Sequence, residues 1–199
     1  MKTGLFFGSF NPVHIGHMAI ANYIVEHTDL KQIWFVVSPH NPLKEKKTLL
    51  ADVHRLRLVK EAIGEDRRFK ASSVEFKLPQ PSYTIDTLTH LKEKHPEKEF
   101  VLILGSDNVQ TLNKWKNYRE ILKQYEIIVY PRTNRDNGSE QDSKAMNAVP
   151  EQIGTILEAP LMEISSSFIR EAIRAKKDVR HFVPAAVWTY IQEMNFYKK

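Results

Sequence analysis

Two histidines three residues apart, His14 and His17, stand just after an apolar run that passes into Gly8-Ser9-Phe10-Asn11-Pro12. If a helix has begun by that point, both imidazoles share one face near its N-terminus. Such an end presents free N–H groups and positive dipole, and so receives phosphate readily. Two imidazoles there can donate hydrogen bonds to phosphate oxygens and offset charge building on a leaving group. Gly8 closes the run where a close backbone approach to a ligand calls for the absence of a side chain. Zinc would want a third ligand, and the other histidines show no supporting spacing. For either ring alone, a structural role at a helix start is the plainer reading.

Towards the other end, Ile164-Ser165-Ser166-Ser167-Phe168-Ile169-Arg170 follows an apolar stretch and opens a helix. Serines at a helix start cap free N–H groups, which by itself accounts for any one of them. Arg170, one turn in, can instead reach a phosphate with its fork of donors. No serine–histidine–carboxylate set stands beside these residues, so positioning and charge stabilisation are the chemistry on offer.

These groups need elements to hold them. Short apolar runs alternate with amphipathic stretches, the pattern of a parallel sheet wrapped by helices. Leu5 to Gly8 reads as a first strand, followed from about Gly16 by a helix with Ile20, Ile24 and the flanking alanines inward. Ile33 to Val37 is a second strand. Ala51 to Ile63 places Val53, Leu56, Val59 and Ile63 on one helical stripe. Ser82 can cap a helix through Lys94 that turns Ile85, Leu88 and Leu91 inward. Val101 to Leu104, ending at Gly105, and Ile127 to Tyr130, ending at Pro131, are further strands. Arg132 to Val149 is polar and aperiodic and reads as a mobile surface loop. Ile156 and Leu161 to Ile164 return to strand-like patterning. Two helices close the chain, one from near Ser166 and one with Pro184 at its first position and Val187, Ile191 and Met194 behind it. The expectation is one α/β domain over all 199 residues, its motifs at strand ends, where open sheets bind ligands.

Composition narrows the classes. The chain is 42% hydrophobic and 27% charged, as soluble globular chains are. It has no apolar run long enough for a membrane span, and the N-terminus does not look like a signal peptide. With no cysteine there is no disulfide, thiolate site or thiol nucleophile, which fits a cytoplasmic location. A net charge of +5 suits nucleic acid or polyphosphate and decides neither.

The segment from Gly8 to His17 closely resembles the G-x-F-x-P-x-H-x-G-H signature of the nucleotidyltransferase superfamily. Class I aminoacyl-tRNA synthetases share only the shorter H-I-G-H, here His14 to His17. Ile164 to Arg170 resembles the I-S-S-T-x-I-R motif of the same adenylyltransferases, with Ser167 at the usual threonine. Pro81-Ser82-Tyr83-Thr84-Ile85-Asp86-Thr87-Leu88 looks like the P-S-Y-T-x-D-T-L stretch of bacterial nicotinate-mononucleotide adenylyltransferases. Gly105, Asp107, Leu112 and Trp115 look like their G-x-D-x-x-x-x-L-x-x-W. The resemblance covers almost the whole chain.

What the resemblance implies is specific. The fold would be a Rossmann-like, doubly wound parallel sheet with flanking helices, the nucleotidylyltransferase fold. The activity would be transfer of the adenylyl group of ATP to nicotinate mononucleotide, giving deamido-NAD and pyrophosphate, with Mg²⁺ bound along with ATP and no metal ligand from protein side chains. His14, His17 and Arg170 would be catalytic. Gly8, Ser9, Phe10, Gly105, Asp107, Ser165, Ser166 and Ser167 would bind ATP. Asn41 stands where the bacterial enzymes often have a basic residue, which passes that role to Lys44 or Lys46. Asn11, Tyr83, Thr84, Trp115 and Arg132 would bind the mononucleotide, the Trp115 ring stacking on the pyridine. Phe7 replaces a glycine common in relatives, so it is either a bulkier wall or a core side chain.

Other nucleotidyltransferases, such as pantetheine-phosphate adenylyltransferases or cytidylyltransferases, remain the runner-up. A nucleic-acid module is disfavoured, because no K-M-S-K-S follows and the aromatics are not interleaved with basic residues. Small molecules are thus the expected partners, without nucleic acid or membrane. Oligomeric state and the choice between nicotinate and nicotinamide forms stay open.

Overall fold

The computed structural model describes residues 1–39, 49–132 and 154–198. Its strands are β1 (Lys2–Gly8), β2 (Gln32–Val37), β3 (Phe69–Ser72), β4 (Glu99–Gly105), β5 (Glu126–Tyr130) and β6 (Thr155–Ile156). They pair in parallel in the order β3-β2-β1-β4-β5-β6. That is the doubly wound order, in which the winding reverses between β1 and β4. Gly8 and Gly105, the last residues of those two strands, therefore flank the crevice where the fold opens to a ligand.

The strands read as unbroken apolar runs because both faces of the sheet are covered. Side chains alternate between two cores. Phe6, Phe35, Ile103 and Ile128 enter one, against α1 (Ile15–His27), α2 (Asp52–Ile63), α6 (Ser166–Arg174) and α7 (Ala185–Glu193). Leu5, Trp34, Leu102 and Ile127 enter the other, against α3 (Thr84–Lys94) and α5 (Tyr118–Gln124). The short α4 (Ser106–Val109) follows β4 directly.

Several sequence expectations need correcting. Leu161 to Ile164 is irregular chain rather than strand, and the sixth strand is two residues long. The strand β3 and the 3₁₀ turn Val74–Lys77 carry a weak apolar pattern that periodicity does not resolve. Ser82 does not cap α3; Tyr83 is the N-cap residue, and Ser82 is buried. Of the alanines flanking Ile20, Ala21 is buried while Ala19 is only half-buried. Met194 ends α7 and is 43% exposed. The polar stretch read as a surface loop lies, beyond Arg132, outside the described residues.

The largest departure is in α2. Val53 is exposed, and the inner face of the helix is Arg55, Leu58 and Val59. A guanidinium can sit there, wholly buried, because every direction it faces offers an acceptor. Its Nε donates to the Leu50 carbonyl at 2.9 Å, and Nη1 to the carbonyls of Ser9 and Ser38, both at 2.7 Å. Nη2 reaches the Pro39 carbonyl at 3.1 Å and the Asp52 carboxylate at 2.5 Å. One side chain thus ties the turns after β1 and β2 to the start of α2. Replacing it by leucine strands four carbonyls that each need a partner, at about 1–3 kcal/mol apiece before relaxation. Arg55→Leu should therefore lower the unfolding free energy by about 3 kcal/mol or more, read from urea denaturation. A loss under about 1 kcal/mol would contradict this reading of the tie.

Candidate active site

The turn after β1 is built around Phe10. Its φ of +46° reverses the chain and drives the ring into the core, edge-on to Phe6 and 5.1 Å from the His17 ring. A Cβ on Gly8 would come within 2.9 Å of that ring. The demand for glycine thus comes from Phe10, not only from a ligand. Phe10 itself lines the cleft and is 1% exposed. Its ring also supports that of His17.

His14 caps α1 and His17 lies in its first turn, their ring centroids 3.6 Å apart. The His14 backbone N–H donates to His17 Nδ1 at 3.2 Å. An accepting Nδ1 carries no proton, so the neutral His17 ring bears its hydrogen on Nε2 and is a donor there. His17 lines the main cleft. His14 does not: it is 4% exposed and lines a cavity of about 20 Å³ behind, with Arg132, Tyr130 and Met162. Both its ring nitrogens lack a partner among the described residues. Burial, followed by the Arg132 charge, holds its pKa down to about 3.

The two ends of the chain meet at Asn11. Its carbonyl accepts from Arg170 Nη1 at 2.8 Å, and its side-chain Oδ1 accepts from Leu50 N–H at 3.3 Å and Tyr197 Oη at 2.9 Å. That oxygen is committed inside the protein, which narrows what Asn11 can offer a mononucleotide. Of the serines, Ser165 caps α6 by accepting from Phe168 N–H, and Ser166 donates to the Pro12 carbonyl at 2.8 Å. Ser167 accepts from Arg170 Nη2 at 3.1 Å. Their hydroxyls are largely structural, while the first turn of α6 faces the cleft.

Gly105 opens the second wall. A Cβ there would collide with Asp107 and come within 3.2 Å of Tyr130 Oη. Asp107 turns to Arg132, 3.6 Å away, and Asn108 rather than Asp107 lines the cleft. The Ser106 hydroxyl accepts from the Arg132 N–H and donates to the Arg132 carbonyl, both at 3.0 Å, pinning that arginine at the strand end. Nothing in the sequence pattern distinguishes Ser106 from an ordinary turn serine.

Phe7, half-buried, is a wall of the cleft that also packs on the second core. Tyr83, Thr84, Trp115, Lys114 and Lys116 line the cleft as well, with Lys116 Nζ 4.9 Å from the Tyr83 ring centre. The N-cap residue Tyr83 places no side-chain cap on α3, whose first turn thus presents uncapped N–H groups at the cleft. Glu75, 3% exposed, is the one acidic residue among the described residues that line the cleft. Lys44, the expected ATP ligand, lies outside the described residues, as does Lys46. The whole cleft measures about 620 Å³, within the usual range for small-molecule sites. It brings together Gly8, Ser9, Asn11, His17, Tyr83, Thr84, Gly105, Trp115, Arg132 and Arg170. Among the described residues no three His, Cys, Asp or Glu side chains cluster to hold a metal, and no helix is long and apolar enough to cross a membrane.

Comparison with known proteins bears on what such a cleft does. The cytidylyltransferase-like family model matches residues 5–172. A probable nicotinate-nucleotide adenylyltransferase of Flavobacterium psychrophilum is 53% identical over 199 residues, all of both chains. That of Flavobacterium johnsoniae is 50% identical over the same span. Among solved structures, the nicotinic acid mononucleotide adenylyltransferase of Plasmodium falciparum complexed with NaAD superposes with a TM-score of 0.74 at 19% identity, covering 99% of this chain and 97% of that one.

A test of the site's electrostatics follows from His14. The unfolded chain takes up this proton near the ordinary 6.5, and the folded one only near 3. Folding is then unpenalised above pH 6.5 and loses stability progressively as pH falls towards 3. Urea midpoints of wild type and His14→Gln should diverge over that window, the wild type falling more steeply. Parallel curves would mean that the imidazole is not held neutral.

Proposed function

Because the chain belongs to the cytidylyltransferase-like family and, within it, to the nicotinate-nucleotide adenylyltransferases, we propose that its cleft joins nicotinate mononucleotide to the adenylyl group of ATP. The products are deamido-NAD and pyrophosphate. The observation that carries the reading is that His17, from the first helix, and Arg170, from the sixth, line one cleft at the reversal of the sheet.

The nucleophile is a 5′-phosphate oxygen of the mononucleotide, already anionic, so no general base is required. It attacks the α-phosphorus of ATP in line; the new P–O bond forms as the bond from that phosphorus to the bridging oxygen breaks, and pyrophosphate leaves with the electron pair. The protein's task is to align the two anions and to receive the charge. His17 Nε2–H and the Arg170 guanidinium are donors suited to the triphosphate, helped by the N-terminal turns of α1 and α6. Burial already disfavours the bare charge on Arg170 and lowers its pKa, so a phosphate arriving beside it relieves an existing penalty. His14 acts from behind, through the His17 ring or on a phosphate oxygen that reaches its cavity.

Arg132, held by Ser106, suits the mononucleotide phosphate. Trp115 offers a stacking face for the pyridine. The uncapped first turn of α3, with Thr84 at its start, suits the nicotinate carboxylate better than a carboxamide, since a helix N-terminus favours negative charge. Mg²⁺ bound with ATP would supply charge neutralisation at the triphosphate. We place the enzyme in the cytoplasm, working on small molecules.

His17→Ala should lower kcat by about a hundred- to a thousandfold, the usual effect of removing one donor to a developing charge, with the melting temperature little changed. Pyrophosphate release with ATP and nicotinate mononucleotide measures it. Near-normal turnover in the folded variant would defeat the reading. Trp115→Ala should raise KM for the mononucleotide by about tenfold or more, as the loss of one stacked base costs about 1–3 kcal/mol elsewhere, and leave KM for ATP close to wild type.

A further inference from the structure

The mechanism above makes no use of Glu75, although it lines the cleft and is almost wholly buried. Its carboxylate accepts from Thr87 Oγ1 at 2.7 Å, and the Ser38 and Ser82 hydroxyls lie close enough to favour its charged form. No described lysine, arginine or histidine pairs with it. Ser82 stands two residues before the start of α3, and Thr87 three residues after it. Ser38 follows the end of β2, and its N–H is bonded to the Gly8 carbonyl at 2.9 Å. The carboxylate is therefore bonded to the first turn of α3 and sits near the end of β2.

We propose that Glu75 is a positioning residue that sets the discrimination between acid and amide forms of the pyridine ring. The inference rests on the reading of α3 as the receptor of that ring. The bond to Thr87 fixes Glu75 beside the first turn of α3. As a negative charge beside the first turn, it opposes part of the helix's attraction for a second carboxylate. The cleft therefore binds nicotinate less selectively over nicotinamide than its helix terminus alone would. Burial pushes the Glu75 carboxyl up, and the neighbouring hydroxyls pull it part of the way back.

Glu75→Gln removes the charge and keeps the shape, and serine and threonine hydroxyls can donate to its oxygen and accept from its nitrogen. The measurement is the ratio of kcat/KM for nicotinate over nicotinamide mononucleotide. In Glu75→Gln that ratio should rise about fivefold, the scale of one charge at a helix end, while KM for ATP stays within about twofold of wild type. Glu75→Met, also uncharged, should move the ratio the same way, and Glu75→Asp, which retains the charge, should leave it near wild type. Quenching of tryptophan fluorescence by each mononucleotide gives the same ratio as binding constants without turnover. An unchanged or lowered ratio in folded Glu75→Gln or Glu75→Met overturns the inference. If wild type makes a dinucleotide from neither mononucleotide, it is instead the proposed function that fails.

Discussion

The cleft exists because a buried guanidinium holds its floor together. Arg55 has no exposed surface, and its hydrogen bonds reach the turn after β1, the turn after β2 and the start of α2. A parallel sheet leaves the carbonyls beyond its strand ends unpaired, and in a ligand site those segments cannot simply be wrapped in more secondary structure. Arg55 supplies donors from below, which frees the upper face of the same turns to meet a ligand. Asn11 does the complementary task with an acceptor, drawing in Leu50, Tyr197 and Arg170. The catalytic geometry is thus held by residues that need touch no substrate.

Charge is arranged in layers around that frame. Among the described residues, the cations that line the cleft are Arg170, Arg132, Lys114 and Lys116, and they suit a substrate pair that brings four phosphates. The histidines divide the work by burial. The His17 Nδ1 accepts from its neighbour's backbone N–H, which leaves Nε2 to face the ligand as the donor, and His14 is kept neutral by desolvation. A site made in this way reorganises little when charge develops, which is where most of such a rate enhancement originates.

Much of this is legible in the sequence. The apolar runs of β1, β2, β4 and β5 and the amphipathic faces of α1, α3 and α6 follow from periodicity, because burial on two faces and on one stripe leave different marks. The strand-end positions of Gly8 and Gly105, and the convergence of His17 and Arg170, follow from the same reading together with the resemblance. What fails has a common cause. Arg55, Glu75, Ser106 and Tyr197 are polar groups whose partners lie far away in the chain or on backbone, and residue type does not report such partners. Periodicity turns Val53 inward because hydrophobicity outranks a charged neighbour, yet the backbone carbonyls at that point make arginine the better core residue. Nor does the motif report that Phe10 packs on His17 and that the Asn11 carbonyl accepts from Arg170.

The account stands on one spatial claim, that His17 and Arg170 serve the same phosphate chain. A crystal structure with a non-hydrolysable ATP analogue tests it most directly. The account predicts phosphate oxygens within hydrogen-bonding distance of both His17 Nε2 and the Arg170 guanidinium, with the α-phosphorus facing the Trp115 side of the cleft. An analogue whose phosphates bind away from either residue would contradict it.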